Sequence, residues 1–159
     1  MTAPAQGRPR GGGGAPPRSA DVRKRDALEL LGAARHAWVA SGGGDGPHLI
    51  PLACVWDGTR VALSTRAGSR TVRNLRRLGR VRLAFGSAVD VVLLDGEVAI
   101  TAPGDVPAAT RDALAALPLD PERVPGCVYL FVTPRRVQAW RHLGEMADRV
   151  IMTDGRWVV

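Results

Sequence analysis

The chain has 159 residues, 45% of them hydrophobic, enough for one domain with a real core, and its formal charge is +7. Of that charge +5 lies in residues 1–25, which leaves only +2 for residues 26–159 and argues against a basic surface spread over the whole molecule. No apolar run reaches signal-peptide or transmembrane length, so a cytoplasmic protein that does not enter a membrane is expected.

Residues 1–20 are Gly, Pro, Ala and Arg with almost nothing apolar to bury, and they read as a disordered tail preceding a single domain over residues 21–159. Ala27, Leu28, Leu31 and Ala34 recur at helical spacing, and predict a first helix over residues 20–34. Strand signals follow at residues 36–41, 48–56 and 60–64, separated by a glycine turn at 42–46 and by Asp57-Gly58. The Gly42–Gly46 run is compositional, and reads as a hairpin rather than a phosphate loop.

Residues 63–81 carry the clearest chemical signal. Ser64, Thr65 and Ser69 precede Arg70 and Arg73 where a strand, a glycine turn and a helix succeed one another, and from Arg66 to Arg82 there are seven arginines and no acid. The free N–H groups and positive dipole end of a helix N-terminus suit a phosphate. The same residues also satisfy a plainer description, in which Ser69 is an N-cap and the arginines are the solvated face of a helix that packs Val72 and Leu75 inward. The absence of any interleaved acid favours the first description.

Residues 80–86 and 89–101 then read as a meander, residues 105–117 as a helix, and residues 127–140 as a long strand interrupted at Pro134. Residues 150–159 read as a hairpin around Asp154-Gly155. The fold class expected is mainly β (α+β): a six- to seven-stranded antiparallel barrel with inserted helices. Cys54 and Cys127 stand far apart, as do His36, His48 and His142, so neither a metal site nor a Ser or Cys triad is indicated. Arginine outnumbers lysine twenty-one to one, a bias that suggests a GC-rich, actinobacterial genome.

The segments Gly46-Pro47-His48-Leu49-Ile50-Pro51, Val55-Trp56-Asp57-Gly58, Leu63-Ser64-Thr65 and Gly68-Ser69-Arg70-Thr71-Val72-Arg73-Asn74-Leu75 together resemble the split β-barrel flavin and deazaflavin oxidoreductases of the pyridoxamine 5′-phosphate oxidase-like superfamily. The resemblance covers residues 25–159. It implies a homodimer that holds FMN or the deazaflavin F420 between protomers. The backbone of Ile50, Pro51, Leu52 and Ala53 would line the ring, and Ser64, Thr65, Ser69, Arg70, Thr71 and Arg73 would surround the phosphate. Asn74 would brace that loop, and Trp140 would lie near the partner's cofactor or simply pack at the interface.

Departures from the family pattern bear on the substrate. Leu49 and Thr71 stand where true pyridoxamine phosphate oxidases carry Arg and Lys, and Glu145-Met146-Ala147-Asp148-Arg149 aligns with their Arg-Leu-His-Asp-Arg. A carboxylate at Glu145 would repel a substrate phosphate, so vitamin B6 oxidation is not expected. The resemblance is nearest to the F420-using actinobacterial branch, whose anionic tail would suit Arg66, Arg70, Arg73, Arg76 and Arg77. The activity implied is hydride transfer to or from a small unsaturated, quinone or imine-type substrate, with solvent as proton source, or else His48 or Tyr129, both of which read first as structural, and with Trp38, Trp56 and Trp157 as candidate walls of a flat pocket or simply core. A flavin- or haem-binding carrier or sensor is the alternative. Nucleic-acid binding is disfavoured, because the basic segment lacks aromatic stacking partners and Phe85 lies on an apolar strand.

Overall fold

The computed structural model describes residues 15–159; residues 1–14 of the expected tail lie outside the described residues. Helix α1 spans Ala20–Ala33, with Ser19 as its N-cap. The helix begins at Ala20, where the spacing places it.

Eight strands follow: β1 (His36–Gly43), β2 (Gly46–Trp56), β3 (Val61–Arg66), β4 (Arg80–Ser87), β5 (Asp90–Thr101), β6 (Cys127–Trp140), β7 (Val150–Thr153) and β8 (Arg156–Trp157). They run in the order β3-β2-β1-β4-β5-β6-β7-β8, and β3 also pairs with β6. Six strands thus close an antiparallel barrel, and β7 and β8 extend beyond β6 as the C-terminal hairpin. Asp154 (φ 52°) and Gly155 (φ 75°) turn the last hairpin as anticipated, in the left-handed conformations that a tight two-residue turn requires.

Strand alternation builds the core. Val39, Ile50, Leu83 and Leu94 are register partners across β2-β1-β4-β5 and face the interior. Helix α1 brings Ala27 and Leu31 into this interior from the end where β1 begins. Helix α2 (Arg70–Leu78) brings Val72 and Leu75 from the other end, where Asn74 meets Ser41 near the end of β1. Its amphipathicity explains the helix: Val72 and Leu75 lie inward, Arg73, Arg76 and Arg77 outward, and Gly79 (φ 66°) ends it in the left-handed conformation.

Two expected elements differ. Helix α3 covers only Ala108–Leu114, because Pro107 starts it and Asp105 belongs to a separate short 3₁₀ turn. Strand β6 is not broken at Pro134. It runs unbroken with a bulge, since Asp95 pairs with Arg136 and Gly96 with Pro134, leaving Arg135 as the extra residue. A Cβ at Gly96 would lie 2.5 Å from Val132 Cγ1 and 2.7 Å from the Thr133 carbonyl oxygen, so only glycine admits this close passage.

A second apolar cluster lies outside the barrel, where Val106, Leu114 and Leu117 cover Ala62, Tyr129 and Phe131. Tyr129 donates to Asp120 Oδ1 (2.8 Å) and thereby fastens the 118–126 loop to β6. Burial and the Asp120 carboxylate push the Tyr129 hydroxyl up to about 12. Asp120 is held below the usual carboxylate range: burial opposes this, and bonds from Tyr129, the Glu122 amide and Arg123 outweigh it. Tyr129→Phe is expected to cost about 1.5 kcal/mol in urea unfolding, the value of a hydrogen bond to a charged group. It should also loosen proteolytic protection of the 118–126 loop without changing the barrel's circular dichroism.

Candidate functional site

The barrel is opened along one line. Strand β2 pairs with β1 over Gly46–Ala53, but with β3 only over Cys54–Trp56. Strand β3 continues through Ser64, Thr65 and Arg66 on β6 alone. The far edge of β2 from Gly46 to Ala53 therefore carries backbone groups with no strand beside them. The first turn of α2 comes up to the start of that edge.

Ser69 caps α2 by accepting from the Val72 amide (3.2 Å). Arg70 Nη2 donates to the carbonyls of Asp45 (2.9 Å) and Gly46 (3.4 Å), and Arg73 Nη1 donates to the Gly68 carbonyl (2.6 Å). Thr71 and Asn74 are buried: Thr71 Oγ1 lies 3.2 Å from His48 Nε2, and Asn74 Nδ2 donates to Ser41 Oγ (3.1 Å). Neither contact was legible in the sequence, although Gly43 is a partial signal. A Cβ there would collide with Asn74 Oδ1, so the glycine is what lets Asn74 reach the hairpin.

The first turn of α2 contains no acid, and both Arg70 and Arg73 stand at the positive end of its dipole. Each cation there is misplaced by about 0.3–1 kcal/mol for a helix considered by itself. None of Arg66, Arg70, Arg73, Arg76, Arg77 and Arg80 has a carboxylate within salt-bridge distance among the described residues, whereas Arg82 pairs with Asp95 (2.6 Å). The net effect is a concentrated positive potential at a notch rich in backbone donors, which is the chemistry of an anion site.

Strand parity divides the other expected site residues. Ile50 and Leu52 pack on the barrel core, Ala53 packs on the outer cluster, and Pro51 is exposed and has no N–H, so this strand offers a ligand backbone rather than side chains. Ser64 and Thr65 are both buried but face opposite sides, Ser64 sharing the side of Ala62 and Tyr129. Only Thr65 is on the barrel-interior side. Strand β6 is only two strands from β2 by way of β3, but Trp140 pairs with Val91 at its far end, about 40 Å of strand beyond Val128, the partner of Thr65, and does not join this notch within one chain.

On the outer face, Leu49, Ala40, Arg82 and Asp95 form one cross-strand row and Pro51, Trp38, Ala84 and Leu93 the next. The first row floors an open cleft of about 560 Å³ that His48, Pro47 and Gly42 also line. Trp38 (51% exposed) and Leu49 (59%) leave this face apolar. The three tryptophans do not share a pocket: Trp56 and Trp157 line a separate space of about 220 Å³ between the β2–β3 and β7–β8 hairpins.

Two further expectations are corrected. Tyr129 is buried and committed to Asp120, away from the notch, so it is no proton source. Glu145 does not face a substrate. Its carboxylate is fully buried and accepts from Arg18 Nε (2.9 Å), Arg18 Nη2 (2.8 Å) and the amides of Arg18 and Arg141. Arg149 is likewise turned inward, onto Gln138 Oε1 (2.9 Å) and the Met146 carbonyl. Among the described residues no group of three or more His, Cys, Asp or Glu could hold a metal ion, and no helix is long and apolar enough to cross a membrane.

A closed six-strand barrel with one strand edge bared beside a basic helix N-terminus defines a split-barrel protein with a basic notch. The chain belongs to the pyridoxamine 5′-phosphate oxidase family, which it matches over residues 24–141. No curated protein matches it. Among solved structures it is similar to a conserved hypothetical protein of Mycobacterium tuberculosis (23% identity, TM-score 0.62, covering 76% of this chain and 86% of that one). It is also similar to an FAD-binding protein of Mesorhizobium loti (18%, 0.59, 72% and 89%) and to an F420 reductase (18%, 0.54, 69% and 93%). At these identities the likeness is one of fold.

Proposed function

We propose that this chain is an oxidoreductase that binds F420, in preference to FMN, at a homodimer interface and moves hydride to or from a small unsaturated, quinone or imine-type substrate. The observation that carries the reading is the notch itself, in which cations crowd the donor end of α2 beside the bared edge of β2. The phosphate would sit at Ser69, Arg70 and Arg73, with Thr65 behind it, and the ring would lie along the Ile50–Ala53 backbone. A bound flavin-type ring supplies the hydride chemistry. The chain binds and orients it, excludes water with apolar walls, and holds the His48 imidazole beside Thr71 at the edge of the cleft.

The exposed rows around Trp38 and Leu49 favour a second copy as their cover, which would also bring a partner's Trp140 face toward the notch. The inward commitments of Glu145 and Arg149 leave no side-chain pair in that loop to anchor a substrate phosphate, which supports a substrate other than pyridoxamine phosphate.

The test is a fluorescence titration of purified apo-protein with F420 and with FMN. F420 should bind more tightly, and its affinity should fall severalfold between about 50 and 200 mM salt because the attraction is largely electrostatic. Tighter FMN binding would reverse the cofactor preference. Cofactor binding without hydride transfer to any quinone or enone acceptor would favour the carrier reading, and binding of neither cofactor would overturn the proposal.

A further inference from the structure

The β1–β2 hairpin is tied to α2 by three side chains, and only one of them can leave. Asn74 to Ser41 and Thr71 to His48 are contacts of buried helix residues, and they hold the two arms. Arg70 is only partly buried and holds the tip, through the carbonyls of Asp45 and Gly46. The tip is Gly43-Gly44-Asp45-Gly46, with Gly46 at φ 87°. Apart from Arg70, no side chain bonds to it among the described residues.

Arg70 spends a full charge on two neutral carbonyl oxygens while standing at the positive end of a helix, where repulsion already disfavours it. A phosphate-type anion at the α2 N-terminus offers the same guanidinium a charge-assisted, two-pronged bond, about twice as strong as one to a neutral acceptor. It would also neutralise the repulsion. The guanidinium cannot satisfy both partners in full.

We propose that Arg70 is an anion-operated latch: an anion at the α2 N-terminus draws the guanidinium off Asp45 and Gly46 and frees the hairpin tip, while Asn74 and Thr71 keep the arms docked. The tip stands between two clefts, the one of about 560 Å³ reached by Gly42, Pro47 and His48 and one of about 340 Å³ bounded by Gly42, Gly43, Gly44, Arg77 and Leu78. Its release therefore makes both adjustable once the phosphate is in place, so phosphate binding precedes and permits fitting of the rest of the ligand. This inference rests on the anion reading of the notch given above.

Amide hydrogen exchange over residues 42–47 tests it, with pyrophosphate as the probe and calorimetry to report its binding. Exchange there should rise about tenfold in Arg70→Ala without anion, and by a similar factor in the wild-type chain saturated with pyrophosphate. Pyrophosphate should add nothing further in Arg70→Ala, and α2 itself should not exchange faster in any sample. Arg70→Lys keeps the charge but loses the fork, and should fall between the two. Calorimetric binding with no change in hairpin exchange would overturn the latch and leave the anion site standing. Failure of pyrophosphate, FMN and F420 alike to bind would overturn both, and unchanged exchange in anion-free Arg70→Ala would show that Arg70 holds nothing.

Discussion

Glu145→Ala is expected to lower the stability of the fold by about 3–5 kcal/mol, the usual cost of removing one partner from a buried ion pair. For a domain of this size that is a fall in melting temperature on the order of 10 °C. The carboxylate is fully buried and accepts two side-chain bonds from Arg18, 127 residues away in sequence, together with the Arg18 and Arg141 amides. Arg18 also bonds to Asp26 (2.9 Å), so a single cation joins the N-terminal segment, helix α1 and the turn after β6. Buried ion pairs break far more expensively than they form. Arg18→Met combined with Glu145→Leu should therefore cost clearly less than the sum of the two single truncations.

The same pair makes a pH prediction. The Arg18 hydrogen bonds hold Glu145 well below its ordinary 4.5. A carboxylate depressed in the folded state adds stability above its unfolded value and loses it as pH falls through the folded one. The stability gap between wild type and Glu145→Gln should thus be constant above about pH 5 and narrow steadily on acidification. Urea unfolding at a series of pH values measures it, and a gap that widened in acid would show that the carboxylate is not ionised in the fold.

What the sequence disclosed and what it concealed divide along chain distance. The α2 notch was legible because its parts, from Thr65 to Asn74, are local, and cap chemistry, glycine and a run of unopposed arginines are all read within ten residues. Most strands were legible for the same reason. Strand β6 was misread as broken because Pro134 is tolerated through Gly96 on the neighbouring strand, a compensation that only register reveals. Glu145 looked like a carboxylate facing a substrate because nothing near it in sequence announces Arg18. That Tyr129 is structural was the plainer reading, but its partner Asp120 reaches it only through the fold. The opposition of Ser64 and Thr65 is a lesson of another kind: adjacent residues on a strand point to opposite faces, so their neighbouring positions in the sequence are enough to keep both hydroxyls from entering one notch.

Arg76→Glu combined with Arg77→Glu should separate the two cofactors. Both side chains are exposed on α2, unpaired among the described residues and a turn or more beyond the Ser69 cap. A ligand that ends at its phosphate feels them only weakly through solvent, at about 0.2 kcal/mol per unit of charge at 8 Å in about 0.15 M salt, or about 0.8 kcal/mol for the two reversals together. A ligand that continues as a chain of carboxylates meets both reversed charges repeatedly, for a loss of about 2–3 kcal/mol, or roughly 30- to 100-fold in affinity. FMN affinity should meanwhile move by less than about fivefold. The helix should survive the change less comfortably than before, since acids at its C-terminal turn oppose the dipole that Arg76 and Arg77 now favour. Circular dichroism and a melting curve therefore accompany the titrations. Equal losses for both cofactors in a folded variant would mean that the two arginines contribute only a general field, and the proposed preference for F420 would then lose its electrostatic basis. A selective loss would place the anionic chain along the outer face of α2 and make the arginine helix, rather than the barrel, the part of this protein that chooses its cofactor.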